Sequence, residues 1–272
     1  MAASVMAVDS QCDCLGFESS NENQKNLLLI DTEQSRWDHF RYIERVLRRA
    51  GRDTPPNWFK SYMLAGLGPV EAWKIVQAAI DDAKHNGGLH SVLLDGVADL
   101  VLDVNDAKEA SDFVMRLHEL AIEHDCCIVC VLHFNPGTEK SRGHLGSCLE
   151  RKCESNLRLD KDEAGVTTIW SDKQRGASIP KQTGPCFAWS DQVSMHVSIE
   201  TAAQRAAKAE RSELAEMVAD VFDDKKAMSY SELRGRVEKV AGCSVATAGR
   251  KVKRMTEHRL IRKDFAGLWV AV

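Results

Sequence analysis

The chain lacks the marks of a membrane-bound or exported protein. No apolar run approaches the roughly 18 to 20 residues of a membrane-spanning helix. The N-terminal stretch MAASVMAVDSQCDC has no basic flank of the kind that opens a signal peptide. The nine cysteines are odd in number and irregularly spaced, which favours free thiols over a disulfide framework. The sequence therefore predicts a cytoplasmic protein without a membrane partner.

A second absence concerns phosphate binding. The motif G-x-x-x-x-G-K-[ST], whose backbone N–H groups and lysine hold nucleotide phosphates, occurs nowhere in the sequence. Nor does the chain contain an internal repeat or a low-complexity tract. What remains is an ordinary globular composition, with 44% hydrophobic and 28% charged residues in 272. This length has room for one α/β domain and a small additional module.

Strand-like and helix-like segments alternate in residues 1–200. The runs Leu27–Ile30 and Cys127–Leu132 are apolar at successive positions, as in strands buried on both faces of a sheet. Such alternation predicts an α/β domain with a mostly parallel sheet flanked by helices. The other predicted strands are Ser91–Leu94, Val166–Trp170 and Met195–Ile199, and the predicted helices are Trp37–Ala50, Pro69–His85 and Ala107–His124.

Residues 212–272 have the pattern of a second, smaller domain. An Ala-rich helical linker, Thr201–Arg211, leads into it. Three helices followed by a hairpin are the order of a winged helix, in which the third helix reads DNA. The predicted helices are Ser212–Phe222, Ser231–Ala241 and Val245–His258, and the predicted hairpin is Leu260–Val272.

Positive charge is concentrated in this C-terminal region. From residue 203 onward there are 15 Lys and Arg against 10 Asp and Glu, whereas the residues before it have 21 against 30. DNA is therefore the expected partner of this region. Because the surplus of positive charge is modest, a protein-binding winged helix stays open as an alternative. The predicted third helix carries the candidate DNA contacts, Arg250, Lys251, Lys253 and Arg254.

Polar side chains follow three of the predicted strands. Asp31 and Glu33 follow the first, Asp95 the second and His133 the third. A carboxylate at a strand end can polarise water for attack on a phosphate, and an aspartate there can order Mg²⁺ through water. A polar side chain at the next strand end can sense the phosphate. Taken singly, Asp31 and Glu33 are also typical of a helix cap, a strand followed by an aspartate is common in α/β proteins, and a lone histidine is more often structural.

Two basic segments come later in the chain. Lys173 and Arg175 lie in KQRG, predicted as a turn, where arginine suits the spread charge of a transferring phosphoryl group. A solvated basic turn is the alternative for this segment. The long loop Asn135–Leu149 carries Lys140 and Arg142, which are candidates for contact with the DNA backbone.

In this order, the four signatures resemble those of RecA-like P-loop ATPases. The resemblance is to hexameric replicative helicases and to the RepA-type ATPases of plasmids and mobile elements, and it covers about residues 1–200. LLLIDTEQS resembles the strand with the catalytic glutamate, SVLLDGVADL the Walker B strand, VLHFNPG the sensor strand and KQRG the K-x-R finger.

The resemblance implies ATP and Mg²⁺ as cofactors and assigns a role to each signature residue. Glu33 would activate water, Asp95 would hold Mg²⁺ through water, and His133 would sense the γ-phosphate. Lys173 and Arg175 would reach into the site of the neighbouring subunit, which implies a homo-oligomeric ring such as a hexamer. The implied function is DNA replication or mobilisation of a mobile element.

The absent phosphate loop is the main departure from the family pattern. In those ATPases it lies one helix upstream of the first acidic strand, and here about 25 residues precede Leu27. We therefore expect a chain that begins within the first helix and neither binds nor hydrolyses ATP by itself. A shortened gene start and a degenerate relative are both open as explanations. The competing function is a non-catalytic DNA-binding replication accessory factor or regulator.

Overall fold

The computed structural model describes residues 1–134 and 142–272 of the chain. These residues form two compact units, Met1–Ile199 and Glu200–Val272, each with hydrophobic core of its own. The predicted DNA contact Lys140 lies outside the described residues.

A four-stranded parallel sheet is the centre of the first unit. Its strands are β1 Asn26–Asp31, β2 Phe59–Met63, β3 Leu89–Asp95 and β4 Cys127–Val131. Their spatial order is β2-β1-β3-β4, and every neighbouring pair is parallel. The carboxyl ends of all four strands therefore meet at one edge of the sheet.

Helices cover both faces of this sheet. They are α1 Ala2–Met6, α2 Arg36–Arg49, α3 Pro69–His85, α4 Ala107–Glu123 and α5 Gly143–Lys152, with a short 3-10 helix at Val97–Leu100. The three longest of these helices agree with the predicted bounds to within one residue at each end. Local chemistry explains the agreement, because the side chains of Ser35 and Asp106 cap α2 and α4 by accepting a backbone N–H of the first turn.

Strand β1 is buried along its whole length. Leu28 and Ile30 pack in the core that contains α3 and α4, whereas Leu27 and Leu29 pack in the core that contains α1 and α2. Successive side chains of a strand point to opposite faces, so a continuous apolar run requires cover on both sides. Full burial of each such side chain contributes roughly 1.5–3 kcal/mol. The predicted α/β fold with a helix-flanked parallel sheet is confirmed.

The later strands of the first unit form a separate antiparallel sheet. They are β5 Ser155–Lys161, β6 Thr167–Gln174, β7 Cys186–Ser190 and β8 Met195–Ile199, in that spatial order. The sequence patterns predicted β6 and β8 but missed β5 and β7. They also missed β2, whose sequence FKSYM has neither a continuous apolar run nor a strict alternation and which lies at an edge of the parallel sheet.

Strand β6 continues four residues beyond its predicted end at Trp170, because it pairs with β5 as far as Gln174 opposite Ser155. The prediction that KQRG is a turn is therefore wrong in part. Lys173 lies in the strand, and Arg175 follows the strand end.

The second unit contains three helices and a hairpin. Its elements are α6 Ala202–Phe222, α7 Tyr230–Ala241, α8 Val245–Glu257, β9 Ile261–Lys263 and β10 Trp269–Ala271. Met228, between α6 and α7, pairs with Trp269 through two backbone hydrogen bonds of 3.0 and 2.8 Å. The buried side chains Leu214, Leu233, Val252 and Ile261 join all three helices and the hairpin in one core.

The predicted linker and the predicted helix Ser212–Phe222 are one continuous helix, α6. A capping box between Thr201 and Gln204 starts it, and nothing at Arg211 or Ser212 breaks it. The prediction of a separate linker is therefore corrected. None of the helices formed by the described residues has both the length and the apolar character needed to cross a bilayer.

Candidate functional site

The carboxyl edge of the parallel sheet brings the three predicted strand-end residues together. Asp31 and Asp95 are register partners at the ends of β1 and β3, and Asp95 is in turn the partner of Val131 on β4. Glu33 follows β1 and His133 follows β4, and His133 Nε2 lies 3.4 Å from Glu33 Oε2. We call Glu33, Asp95 and His133 the acidic rim. Its histidine is the most open member, with 71% of the side chain exposed.

Thr32 fixes the turn after β1 to the end of β3. Its backbone N–H donates to Asp95 O at 3.1 Å, and its hydroxyl lies 3.0 Å from the carbonyl oxygens of Asp95 and Gly96 and from Asp99 Oδ2. Gly96 has φ of +92°, and a Cβ there would lie 2.1 Å from Thr32 Oγ1 and 2.8 Å from Glu33 Cγ. Glycine is therefore required at this position for both the backbone conformation and the close approach.

A buried hydrogen-bonded chain holds the same turn from the other side. Asp31 is fully buried, and its Oδ1 accepts the backbone N–H groups of Glu33 at 3.0 Å and Gln34 at 2.9 Å. Its Oδ2 lies 2.7 Å from His39 Nδ1, and His39 Nε2 lies 2.6 Å from Ser61 Oγ. An ionised carboxylate only accepts hydrogen bonds, so Nδ1 donates to it, whereas the role of Nε2 toward the Ser61 hydroxyl depends on whether the ring carries one proton or two.

This Ser–His–Asp order is also that of a nucleophilic triad. Ser61, however, lies in the middle of β2 opposite Leu29, and the His39 side chain is only 12% exposed. A nucleophile must reach its substrate, so the arrangement suits orientation of the Glu33 turn rather than covalent chemistry. Sequence patterns missed it because His39 and Ser61 are distant from Asp31 along the chain, and a lone His or Ser gives no signal.

The electrostatics of the rim are those of crowded carboxylates. Burial raises the pKa of Asp95 above its usual range, and the nearby charges of Asp31 and Glu33 raise it further, whereas His133 acts in the opposite direction. Burial likewise raises the pKa of Tyr42, on α2, to about 12, with the charges of Asp95 and Asp31 adding to the effect. A bound cation would relieve this repulsion.

The residues of the rim fit a hydrated divalent cation better than a directly ligated one. Among residues 1–134 and 142–272 there is no group of three or more His, Cys, Asp or Glu side chains arranged to hold a metal ion. A single carboxylate that orders Mg²⁺ through water needs no such group. A triphosphate, in contrast, does not fit an acidic rim without a separate loop of N–H donors, since both partners are negatively charged.

A cleft of about 610 Å³ lies beside the rim. Thr32, Asp99, Asp103 and Asn105 contribute its polar wall, together with the predicted DNA contact Arg142. Arg142 is exposed and stands directly before α5. The structure thus places Arg142 among acidic side chains at the sheet edge.

The two cations of KQRG have different environments. Lys173 Nζ donates to the carbonyl oxygens of Glu150 and Arg151 at 2.8 Å each, and so stabilises the carboxyl end of α5. Arg175 is exposed, and its backbone N–H donates to Glu154 O at 3.2 Å. Only Arg175 therefore presents its side chain outward, as a residue directed at a neighbour must.

The cations of α8 in the second unit are partly neutralised by acids of α6. Arg254 forms ion pairs with Glu210 and Glu257, and Lys251 Nζ lies 3.4 Å from Glu213 Oε1. The hydrogen bond to Glu210 raises the pKa of Arg254. The remaining predicted contacts are freer: Arg250 bonds to Thr247 Oγ1 at 3.1 Å, and Lys253 has 79% of its side chain exposed with Glu257 at 4.0 Å.

No model of a known protein family matches the chain, and no curated protein matches it.

Proposed function

We propose that this chain is a RecA-like ATPase-type subunit that acts on DNA, of the kind found in replicative helicases and RepA-type ATPases. The observation that carries the proposal is the acidic rim, where three neighbouring parallel strands deliver Glu33, Asp95 and His133 to one edge. In open α/β sheets, ligands bind outside the carboxyl ends of the strands. The order of the residues along the chain is the order of the family signatures.

Each rim residue has a role in this proposal. With nucleotide bound, Glu33 would orient the attacking water and Asp95 would hold Mg²⁺ through water, and the cation would offset the burial and the repulsion that raise the pKa of Asp95. His133, 3.4 Å from Glu33, would sense the phosphate. Asp31, His39 and Thr32 hold the Glu33 turn in place.

ATP binding needs a phosphate loop that the 272 residues do not contain. The chain by itself is therefore proposed to supply the water-activating and sensing groups, and not to hydrolyse ATP. The exposed Arg175 is the residue proposed to act on the site of a neighbouring copy, where its fork-shaped cation would stabilise developing charge. Lys173 is proposed to anchor the end of β6, directly before Arg175, to α5.

The C-terminal unit is proposed to be a winged helix that contacts DNA. Its support is the order of three helices and a hairpin, with the isolated Met228–Trp269 bridge beside the hairpin. On α8, Arg250 and Lys253 are the residues proposed to contact the DNA backbone, since acidic side chains pair with them less closely than with Lys251 and Arg254.

A grafted phosphate loop tests the ATPase proposal. A segment with the order strand, G-x-x-x-x-G-K-T, helix is joined upstream of Met1, and Mg²⁺-dependent ATP hydrolysis is measured with and without DNA. We expect hydrolysis only in the graft, and a loss of about 10²- to 10⁴-fold on Glu33→Gln, since a positioned base contributes that much. Arg175→Ala should abolish hydrolysis and leave nucleotide binding nearly intact.

The matched control is the same graft with the loop lysine changed to alanine. Hydrolysis by the ungrafted chain would contradict the proposal, as would a graft that binds nucleotide yet turns over equally well with Glu33→Gln. Loss of binding and hydrolysis together in Arg175→Ala would argue against action on a neighbouring subunit.

A second candidate is a non-catalytic DNA-binding accessory factor of replication. The observation that favours it is the combination of a separate, basic C-terminal unit with the absence of the phosphate loop. This function requires that the ungrafted chain bind DNA with the same affinity with and without nucleotide. If the graft stays inactive while DNA binding persists, this candidate replaces the first.

A further inference from the structure

The tip of the C-terminal hairpin presents a fully exposed aromatic ring. Phe265 lies in the turn between β9 and β10, and its exposure is 114% of the reference value, the highest among the large hydrophobic residues that the structure describes. By comparison, the exposed Phe40 on α2 reaches 57%. A phenylalanine left wholly in water forgoes roughly 1.5–3 kcal/mol of burial, which a partner that covers the ring would recover.

Several hydrogen bonds hold the turn that carries Phe265. Asp264 N–H donates to Leu268 O at 2.8 Å, and Gly267 N–H donates to Asp264 O at 3.1 Å. The Asp264 carboxylate accepts the N–H groups of Ala266 and Leu268 at 2.9 Å each. Gly267 has φ of +79°, which glycine adopts without strain. The ring is therefore held at the tip by its own backbone rather than left on a loose loop.

Two positively charged residues precede this ring along the chain, as suits a surface that binds nucleic acid. Arg262 and Lys263 are exposed on the strand that leads to the tip, and Lys263 Nζ lies 5.5 Å from the centroid of Trp269. The one acidic side chain of the turn, Asp264, is occupied by the backbone of the turn. An exposed ring that follows two exposed cations along the chain suits a nucleobase next to its phosphates, because the ring can stack on the base and the cations can neutralise the nucleic-acid backbone.

We propose that Phe265 stacks on a nucleobase when the C-terminal unit binds nucleic acid. The proposal rests on the proposed DNA-binding function and adds the residue and the contact chemistry. The base is either unpaired, as in a single strand, or opened at a base step into which the ring is inserted. In both cases the ring stacks on the face of a base, and the single-stranded and duplex probes of the experiment distinguish the two cases.

The test uses the full chain with Phe265→Ala, Phe265→Trp and, as matched control, Phe40→Ala. Affinity is measured by fluorescence anisotropy for a single strand, a duplex and a fork of the same sequence, over a series of salt concentrations. We expect Phe265→Ala to weaken binding about 5- to 100-fold, which is the size of a lost base–aromatic stack. The slope of log affinity against log salt should not change, because no phosphate contact is removed.

The conservative variant gives the decisive readout. Phe265→Trp should restore affinity, and 2-aminopurine placed at the contacted base should change its fluorescence on binding with Phe or Trp at position 265 but not with Ala. A preference for the single strand identifies an unpaired base, and a preference for the duplex identifies insertion between paired bases. Phe40→Ala should bind like the unchanged protein.

The outcomes separate this inference from the function on which it rests. If the unchanged protein binds and Phe265→Ala binds equally well, the stacking inference fails and the DNA-binding function stands. If Phe265→Ala alters the salt slope, or Trp does not restore affinity, the contact is not a stack and the inference also fails. If the unchanged protein binds none of the three probes, both fail.

Discussion

At the scale of single residues, the carboxylates of the rim repel one another in the folded chain. Asp95 is partly buried with Asp31 and Glu33 nearby, and its pKa is raised as a result. Such a group stabilises a folded protein less in its charged form than in its neutral form. The rim therefore costs stability at neutral pH, as groups arranged for binding commonly do.

We predict that Asp95→Asn raises the free energy of unfolding at neutral pH. Removal of the charge ends the repulsion, and the gain should be about 0.5–2 kcal/mol, the usual size of such a relief. Because the pKa of Asp95 is higher in the folded than in the unfolded state, the folded state binds this proton at a higher pH than the unfolded state does. The advantage of Asp95→Asn should therefore shrink as the pH falls through the native pKa of Asp95.

Urea unfolding over a pH series measures this effect, with Asp103→Asn as a control at an exposed loop position. If Asp95→Asn is less stable than the unchanged protein at neutral pH, the electrostatic account of the rim is wrong.

At the scale of elements, prediction succeeded where local pattern decides the structure. Helix α3 has its predicted bounds, Pro69–His85, because its apolar spacing and its N-terminal proline are local signals. Strand β2 was missed because it is an edge strand with an exposed lysine at position 60, and its pairing with β1 is invisible in its own sequence. The length of β6 was missed for the same reason, since β5 determines it.

The residues of the candidate site also differ in whether local sequence could predict them. Glu33, Asp95 and His133 were predictable because each follows a strongly apolar strand, and parallel strands end at one edge. The chain from Asp31 through His39 to Ser61 was not predictable, because it depends on the docking of α2 against β2. Likewise, the pairing of α8 cations with α6 acids follows from helix packing and not from the charge count.

On the proposed DNA-binding function of the second unit, we predict that the acids of α6 weaken the contact of α8 with DNA. In the double variant Glu210→Gln with Glu213→Gln, Arg254 and Lys251 lose partners and become available to phosphates. The slope of log affinity against log salt should steepen by up to about two, since each new phosphate contact adds about 0.9 for duplex DNA. Loss of these solvent-exposed ion pairs should change the stability of the unit little, because water and salt screen them.

The matched control for this variant is Glu216→Gln with Asp220→Asn, which removes two exposed acids from the same helix. Both variants change the net charge equally. Equal salt slopes in the two would show that the freed cations do not meet DNA and that only net charge matters.

At the scale of the whole molecule, the described chain consists of two units with separate cores. The parallel sheet and its helices bury one set of side chains, and α6, α7, α8 and the hairpin bury another. A core that is complete within each unit allows each to unfold as a cooperative block.

We predict two calorimetric transitions, of which one belongs to the second unit. Leu233 is fully buried in the core of that unit. Leu233→Ala should lower the free energy of unfolding of the second unit by about 2–5 kcal/mol, and with it the temperature of that transition only. The control is Leu94→Ala, at a fully buried position of β3, which should lower only the other transition. A single transition that shifts with both variants would mean that the units unfold together.

Thr32 has a mechanical consequence for the rim. Its backbone and hydroxyl tie the end of one central strand to the end of the next, so Glu33 and Asp95 stand on a single brace rather than on two independent loops. We therefore expect a cation at the rim to shift both carboxylates together, because the hydrogen bonds of Thr32 join the turn that carries Glu33 to the strand end that carries Asp95.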